Sequence, residues 1–213
     1  AGQLVTAETP FYGEAGGQGG DVGEIVTADG ARFVVRDTLR PVTGLVVHLG
    51  TVTEGNLRAG DAVTLRVDVE ARDATRRNHS ATHLLHWALR KVLGPHAQQK
   101  GSKVGPTGLR FDYAASRALT DDEVARIEDL VNREVLANVP VRTEVTTQAE
   151  ARARGAMMIF EEKYGDAVRM LHIGHESVEL CGGTHAAATG DIGMFKVVSD
   201  ANVGAGVRRI EAV

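Results

Sequence analysis

The sequence predicts an α+β protein in which a small β-barrel is followed by a largely antiparallel sheet with helices packed on one face. Short β-branched runs separated by Gly, Asp and Pro fill the first third of the 213-residue chain. Apolar residues at helical spacing begin near Asp73. Beyond that point hairpin-like strands outnumber strand–helix–strand units, which is typical of an antiparallel sheet.

Residues 1–72 make up the first predicted domain, a small β-barrel with a glycine-rich loop. Four runs are predicted to be strands because turn residues bound them: 22–26, 31–35, 45–49 and 62–70. The last of these has an apolar residue at every second position of 63–69 and the turn pair Gly60-Asp61 ahead of it. Several short strands at close spacing are typical of small barrels.

Residues 73–213 make up the second predicted domain. Leu84 and Leu89 belong to a helical stripe over 73–93 that a Gly-Pro pair ends. Thr120 and Glu123 form a capping box that begins a second helix, and a short third helix is predicted over 147–154. The predicted strands cover 109–113, 141–146, 168–173, 178–180, 192–198 and 207–213.

Composition indicates a cytoplasmic protein. One cysteine excludes an internal disulfide framework, and no apolar run approaches membrane-spanning length. A net charge of −4 argues against binding nucleic acid by bulk electrostatics. The candidate basic patches, each of which is equally well a solvated face, are Arg76-Arg77, Lys100/Lys103/Arg110 and Arg208-Arg209. Because the chain begins with Ala1 rather than Met, we expect it to be part of a longer protein.

Two short motifs supply soft or borderline metal ligands. His79 and His83 are four residues apart in the first predicted helix, so their side chains share one face and can bind one ion. Cys181 and His185 have the same spacing around a Gly-Gly pair, which allows a tight loop that turns both side chains inward. A set of three histidines and one cysteine suits zinc, so we predict one Zn²⁺ bound by these four residues.

The number of ligands leaves the role of the ion open. A closed four-coordinate zinc is usually structural, whereas a catalytic zinc keeps an open position. Either the ion only organises the pocket, or Cys181 or His185 is loose and a water with a pKa lowered towards about 7 takes its place. His86 is seven residues from His79, roughly 10 Å along a helix, so we expect it to pack or to line the cleft.

A glycine-rich segment over 9–21 is the second unusual feature. It lacks the Lys-Ser/Thr of a phosphate-binding loop, and it could be a flexible linker. Phe11, Tyr12, Gln18 and Asp21 are not typical of linkers. Because glycine lets a backbone approach a neighbour closely, we expect this loop to lie against the metal cleft.

Together these residues resemble the editing region of alanyl-tRNA synthetase. The resemblance covers nearly the whole chain and rests on ten motifs in order: TPFYGE at 9–14, GGQ at 16–18, NHSATHLLH at 78–86, QKGS at 99–102, LRFD at 109–112, GAM at 155–157, EKYG at 162–165, ELCGGTH at 179–185, TGDIG at 189–193 and GVRRIEAV at 206–213. It implies the fold of the second additional domain of threonyl- and alanyl-tRNA synthetases.

The resemblance also implies an activity. The family charges tRNA(Ala) with alanine, and this region hydrolyses the wrong esters, Ser-tRNA(Ala) and Gly-tRNA(Ala). A second site is needed because one methyl group gives an activation site only about 1–3 kcal/mol of discrimination. The chain is too short for the ATP-dependent aminoacylation core, so aminoacylation is not expected. We expect a monomer, because the family's dimerisation module would follow residue 213.

Residue roles follow from the same resemblance. His79, His83, Cys181 and His185 would bind zinc. Thr82 would contact the substrate side chain, and Gln99 would orient the ester or the water. Contacts to substrate or tRNA are implied for Gly16, Gly17, Gln18, Lys100, Gly101, Gly182, Gly183, Arg208 and Arg209. The general base stays open between His86, zinc-bound hydroxide and a ribose hydroxyl of the substrate.

Three alternatives remain at the level of sequence. One is a freestanding editing protein that acts in trans with the same chemistry. The second is the editing domain of threonyl-tRNA synthetase, against which the glycine-rich segment and the RRIEAV ending argue. The third is a zinc-stabilised tRNA-binding module without catalysis.

Overall fold

The computed structural model describes residues 1–157 and 166–213 of the chain. The motif at 162–165 lies outside this part. In the described ranges no helix combines the length and the apolar content that crossing a membrane requires.

The first part of the chain forms an antiparallel five-stranded sheet. Its strands are β1 (Gly2–Leu4), β2 (Gly23–Thr27), β3 (Arg32–Val42), β4 (Leu45–Glu54) and β5 (Val63–Val67). They pair in the order β1-β4-β3-β2-β5. Phe11, Ile25, Phe33 and Val35 are buried together on one face. No pairing between β1 and β5 is found among the described residues, so closure into a barrel stays a prediction.

Helix α1 (Val69–Leu93) begins earlier than the sequence predicted. The strand expected to reach residue 70 ends at Val67, because the Asp68 carboxylate accepts a hydrogen bond from Ala71 N at 3.0 Å and caps the helix. The helix ends at Gly94, as predicted. It buries a broad face that includes Leu84, Leu85 and Leu89.

The rest of the chain contains two antiparallel sheets where one was expected. The four-stranded sheet has the order β11-β12-β7-β6, and the three-stranded sheet has the order β10-β9-β8. Their strands are β6 (Gln99–Gly105), β7 (Gly108–Ala114), β8 (Arg142–Thr147), β9 (Ala167–Ile173), β10 (Ser177–Leu180), β11 (Val197–Gly204) and β12 (Val207–Ala212). The strand predicted over 192–198 was wrong at its start, because a 3₁₀ turn occupies Thr189–Ile192 and β11 begins at Val197.

One apolar core joins these layers. Leu84 and Leu85 of α1, Phe111 of β7 and Ile173 of β9 belong to the same buried cluster, so α1 contacts both sheets. Helix α2 (Asp121–Ala137) packs on α1 and buries Ile127, Val131 and Val135. Its predicted capping box is present with both hydrogen bonds, and the short helix α3 (Gln148–Ala153) also forms where it was predicted. Packing in this core therefore fixes the orientation of α1, and with it the direction in which its histidines face.

Candidate metal centre

The first pair of predicted ligands lies on adjacent turns of α1. His79 and His83 are both buried. Their rings are stacked, with centroids 5.1 Å apart and planes inclined by 22°. The i, i+4 spacing therefore produces a shared face, as the sequence predicted.

The second pair follows β10. Cys181 is the first residue after that strand, and the loop that it begins carries His185 back towards α1. Gly183 makes this return possible, because a Cβ at that position would lie 2.1 Å from His79 Cε1. Only glycine allows the loop to pass so close to the imidazole.

The four predicted ligands form one cluster. One donor atom from each of His79, His83, Cys181 and His185 lies within 4.8 Å of the others. Cys181 Sγ is 3.5 Å from His79 Nε2 and 3.3 Å from His185 Nε2. His83 Nε2 is buried, and no hydrogen-bond partner for it is found in residues 1–157 and 166–213. Three imidazole nitrogens and one sulfur at this spacing fit a tetrahedral zinc ion.

The electrostatics of the cluster also favour a cation. Burial raises the pKa of the Cys181 thiol, but the His83 charge and the hydrogen bond from His185 hold that pKa well below its usual value. A thiolate is the form that binds metal. Burial lowers the pKa of His83, yet the charges of Glu179 and Cys181 raise it to about 10. The pocket thus stabilises positive charge between Cys181 and Glu179.

Glu179 is a site residue that sequence reasoning missed. It is 1% exposed on β10, and its Oε2 lies 2.9 Å from His83 Nδ1. A carboxylate at Nδ1 holds the proton there and leaves Nε2 free to bind an ion. The signal was available, since Glu179 is two residues before Cys181 and alternate residues of a strand share a face.

Ser80 is the second missed residue. Its Oγ accepts a hydrogen bond from Ala186 N at 3.0 Å and lies 3.4 Å from His185 Nδ1. Burial lowers the pKa of His185 to about 3, so this imidazole is neutral, as a metal ligand must be. No sequence pattern pointed to Ser80 beyond its position beside His79.

The glycine-rich segment lies against this cluster, as expected. Gln18 Oε1 is 2.8 Å from His79 Nδ1 and also accepts a hydrogen bond from Thr184 N at 2.9 Å. Gly17 and Gly19 pair through their backbones with Val104 of β6. Gly16 lies at the turn before them, with φ +60°.

His86 lies outside the ligand set. It is buried beside Phe111, with ring centroids 5.2 Å apart, and its Nδ1 is 3.9 Å from Glu179 Oε2. His86 therefore lies behind Glu179, where it packs in the core.

For the other predicted site residues, the contacts found within the described ranges are with residues outside the ligand set. Thr82 is buried on α1 and donates its hydroxyl proton to Asn78 O at 2.8 Å. Gln99 Nε2 donates to Ser102 Oγ at 3.2 Å at the start of β6. Lys100 is exposed, and Gly101 pairs with β7. Gly182 is exposed at the tip of the Cys181 loop.

The two C-terminal arginines form ion pairs. Arg208 Nε lies 2.9 Å from Asp200 Oδ1. Arg209 binds the Asp112 carboxylate through two hydrogen bonds of 2.7 and 2.8 Å. Both guanidinium groups thus have carboxylate partners within the four-stranded sheet.

An open cleft borders the cluster at His185. It has a volume of about 580 Å³, and Arg76 and Arg77 of α1 line it together with Ala187 and Asp191. Arg76 pairs with Asp73 at 2.9 Å, whereas Arg77 is exposed. Of the four cluster residues, only His185 lines this cleft.

Comparisons with known proteins agree along the chain. Residues 168–211 match the family model "Threonyl and Alanyl tRNA synthetase second additional domain", and residues 1–71 match the model "tRNA synthetases class II (A)". The alanine–tRNA ligase of Sorangium cellulosum is 66% identical over 210 residues, which cover 99% of this chain and 23% of that protein. The enzyme of Delftia acidovorans is 55% identical over 213 residues, which cover 100% of this chain and 24% of that protein.

The chain thus spans about a quarter of the length of the curated relatives that it matches, 23% and 24% in these two cases. These matches run through the residues of both ligand pairs and of the glycine-rich loop. The chain belongs to the alanine–tRNA ligase family.

Proposed function

We propose that this chain is an editing domain that hydrolyses the ester bond of Ser-tRNA(Ala) and Gly-tRNA(Ala). The observation that carries the proposal is the cluster of His79, His83, Cys181 and His185, whose donor atoms lie within 4.8 Å of one another beside an open cleft. The match to the second additional domain of these synthetases supports it. The partner is the 3′ end of tRNA(Ala), and the cellular location is the cytoplasm.

The reaction is hydrolysis of an aminoacyl ester. Water adds to the carbonyl carbon, the bond from that carbon to the ribose oxygen breaks, and free amino acid and tRNA leave. A zinc ion bound by the four ligands would supply positive charge next to the cleft, either to polarise a bound ligand or to hold the loop in shape.

Backbone amides of the Cys181 loop are candidates to stabilise the developing oxyanion. Gly183 N–H already donates to Cys181 Sγ at 3.4 Å, and Thr184 N–H donates to Gln18. The exposed Gly182 N–H makes no hydrogen bond with any residue in the described ranges, so we assign the oxyanion contact to Gly182.

Several residues keep the roles that the resemblance implies, as proposals. Thr82 would contact the serine hydroxyl with an unused lone pair of its Oγ1, and Gln99 would orient the ester or the water. Lys100 and Gly101 would lie beside the terminal adenosine. Gly16 and Gly17 would help to close the cleft. Arg208 and Arg209 would contact tRNA only through the faces of ion-paired guanidinium groups.

The test is release of serine from Ser-tRNA(Ala), measured beside Ala-tRNA(Ala). We expect the chain to release serine and to spare alanine. Cys181→Ala removes a predicted ligand and is expected to lower the rate by about 100-fold or more, since loss of a group that only orients a ligand already costs about 10–100-fold. His96→Ala, at an exposed histidine outside the cluster, is the matched control and keeps the wild-type rate.

A zinc-stabilised tRNA-binding module without catalysis is the second candidate. One observation favours it, namely that all four ligands lie close together, as in a closed structural site. A folded, zinc-loaded chain that binds tRNA(Ala) but releases no serine would establish this module and contradict the hydrolase.

We also propose the division of the chain into domains of residues 1–72 and 73–213, with the first sheet closed as a small barrel. The glycine-rich loop supports close association of the two, since its buried Gln18 contacts His79. We further propose that the domain acts as a monomer within alanine–tRNA ligase rather than as a freestanding protein that acts in trans.

A further inference from the structure

Gln18 connects the two ligand pairs of the candidate metal centre. The side chain is 1% exposed. Its Oε1 contacts His79 Nδ1 of the first pair at 2.8 Å, and it also accepts from Thr184 N, which lies between Cys181 and His185. Its Nε2 donates to Thr184 Oγ1 at 2.9 Å. One amide group thus touches both halves of the cluster.

These contacts fix the hydrogen-bonding direction at His79. A backbone N–H can only donate, so the atom facing Thr184 N must be the amide oxygen. The same oxygen faces His79 Nδ1, which therefore carries the proton. The other nitrogen, Nε2, lies 3.5 Å from Cys181 Sγ and is left with a lone pair that would bind an ion between them.

The loop around Gln18 is anchored on both sides. Gly17 O accepts from Val104 N at 2.8 Å, and Gly19 N donates to Val104 O at 2.9 Å. Three residues after Gln18, the buried Asp21 pairs with Arg72 of α1 through a 3.0 Å bond to Arg72 Nε. Arg72 and His79 are seven residues apart, two turns of one helix face. Gln18 is therefore held rigidly against His79.

We propose that Gln18 is a positioning residue for the metal ligands, through which residues 1–72 control how tightly the chain binds zinc. The family resemblance implied a different role, closure over the substrate. The proposal concerns metal binding alone, so a failure of the deacylase proposal would leave it standing, and the reverse also holds.

The first experiment compares Gln18→Met with Gln98→Met, which changes an exposed glutamine ahead of β6. Zn²⁺ affinity is measured by competition with a chromophoric chelator, and ligand geometry is measured from the absorption bands of the Co²⁺ form. We expect Gln18→Met to bind Zn²⁺ about 10–100-fold more weakly, with shifted Co²⁺ bands. Gln98→Met is expected to match the wild type.

The result that overturns the proposal is a folded Gln18→Met protein with Zn²⁺ affinity within twofold of wild type and unchanged Co²⁺ bands. A purely structural role would lower stability without altering those bands. If Gln18→Met does not fold, Zn²⁺ affinity is measured for Gln18→Glu instead, because a carboxylate oxygen can still accept the hydrogen bond from His79 Nδ1. Wild-type or tighter Zn²⁺ binding by Gln18→Glu supports the proposal, and binding more than tenfold weaker overturns it.

Discussion

At the scale of single residues, the candidate centre depends on a close approach that only glycine allows. Gly182 and Gly183 are adjacent in sequence, yet their surroundings differ. A Cβ at Gly183 would overlap His79 Cε1 and Nδ1, at 2.1 and 2.5 Å, whereas a Cβ at Gly182 would meet no heavy atom within 4 Å. Gly183 is thus required for close packing against His79, whereas Gly182 lies at the loop tip with open space beside it.

Gly183→Ala is predicted to damage the centre, and Gly182→Ala is its matched control. Overpacking of this kind typically costs about 1–3 kcal/mol, because His79 and the loop must move apart. We expect a lower free energy of unfolding and weaker Zn²⁺ binding for Gly183→Ala, as measured by denaturant titration and chelator competition. Equal losses in the two variants would show that the close contact with His79 is unimportant.

At the scale of elements, α1 and α2 have different tasks. Helix α1 carries two ligands and contacts both sheets, whereas α2 supports it from behind through Ile127, Val131 and Val135. The N-terminus of α2 is stabilised by Thr120, whose Oγ1 accepts from Glu123 N at 3.2 Å, and by the Glu123 carboxylate, which accepts from Thr120 N at 2.9 Å. This capping box lies far along the chain from the metal ligands.

Thr120→Ala is predicted to lower the free energy of unfolding without changing Zn²⁺ affinity. Loss of an N-cap hydroxyl typically costs about 1 kcal/mol, since the Glu123 amide loses its acceptor. Thr107→Ala, at an exposed threonine in the β6–β7 turn, is the control. Denaturant unfolding measures the difference, and a Thr120→Ala protein as stable as this control would contradict the prediction.

At the scale of the whole molecule, the metal centre joins segments that are distant in sequence. Ligands come from α1 and from the loop after β10, and the contacts that orient them come from the glycine-rich loop, from α1 and from β10. A bound ion would therefore cross-link the parts of the structure. Among the described residues, no hydrogen-bond partner of the protein is found for the buried His83 Nε2, which an ion in the cluster would contact.

Removal of zinc is predicted to destabilise the whole described fold. A ligand that binds only the native state adds about 4 kcal/mol when its free concentration is 1,000 times its dissociation constant. We expect a strong chelator to lower the midpoint of thermal unfolding for the wild type and to have little effect on Cys181→Ala, which lacks one ligand. A wild-type midpoint that does not respond to chelator would show that the cluster does not couple metal binding to folding.

The residues of the candidate metal centre, several helix boundaries and the family could be predicted from the sequence by itself. The i, i+4 spacing of the histidines, the turn-forming Gly-Gly pair and the single cysteine predicted the four residues that cluster in the candidate metal centre. A helix turn and a tight loop are local features, so this prediction needed no knowledge of distant partners. The capping box of α2 and the short helix α3 were confirmed for the same reason. The family was also evident from its motifs.

Only the tertiary structure decided which side chains orient those ligands. Gln18 and His79 are 61 residues apart, and Ser80 and His185 are 105 apart, so no local pattern could pair them. The separation of the second part into two sheets likewise depends on how strands pair at long range, since α1 can bury one broad face against both. Local spacing thus predicted the four candidate ligands. Long-range packing determined which side chains contact their imidazole rings and which ring nitrogens carry the protons.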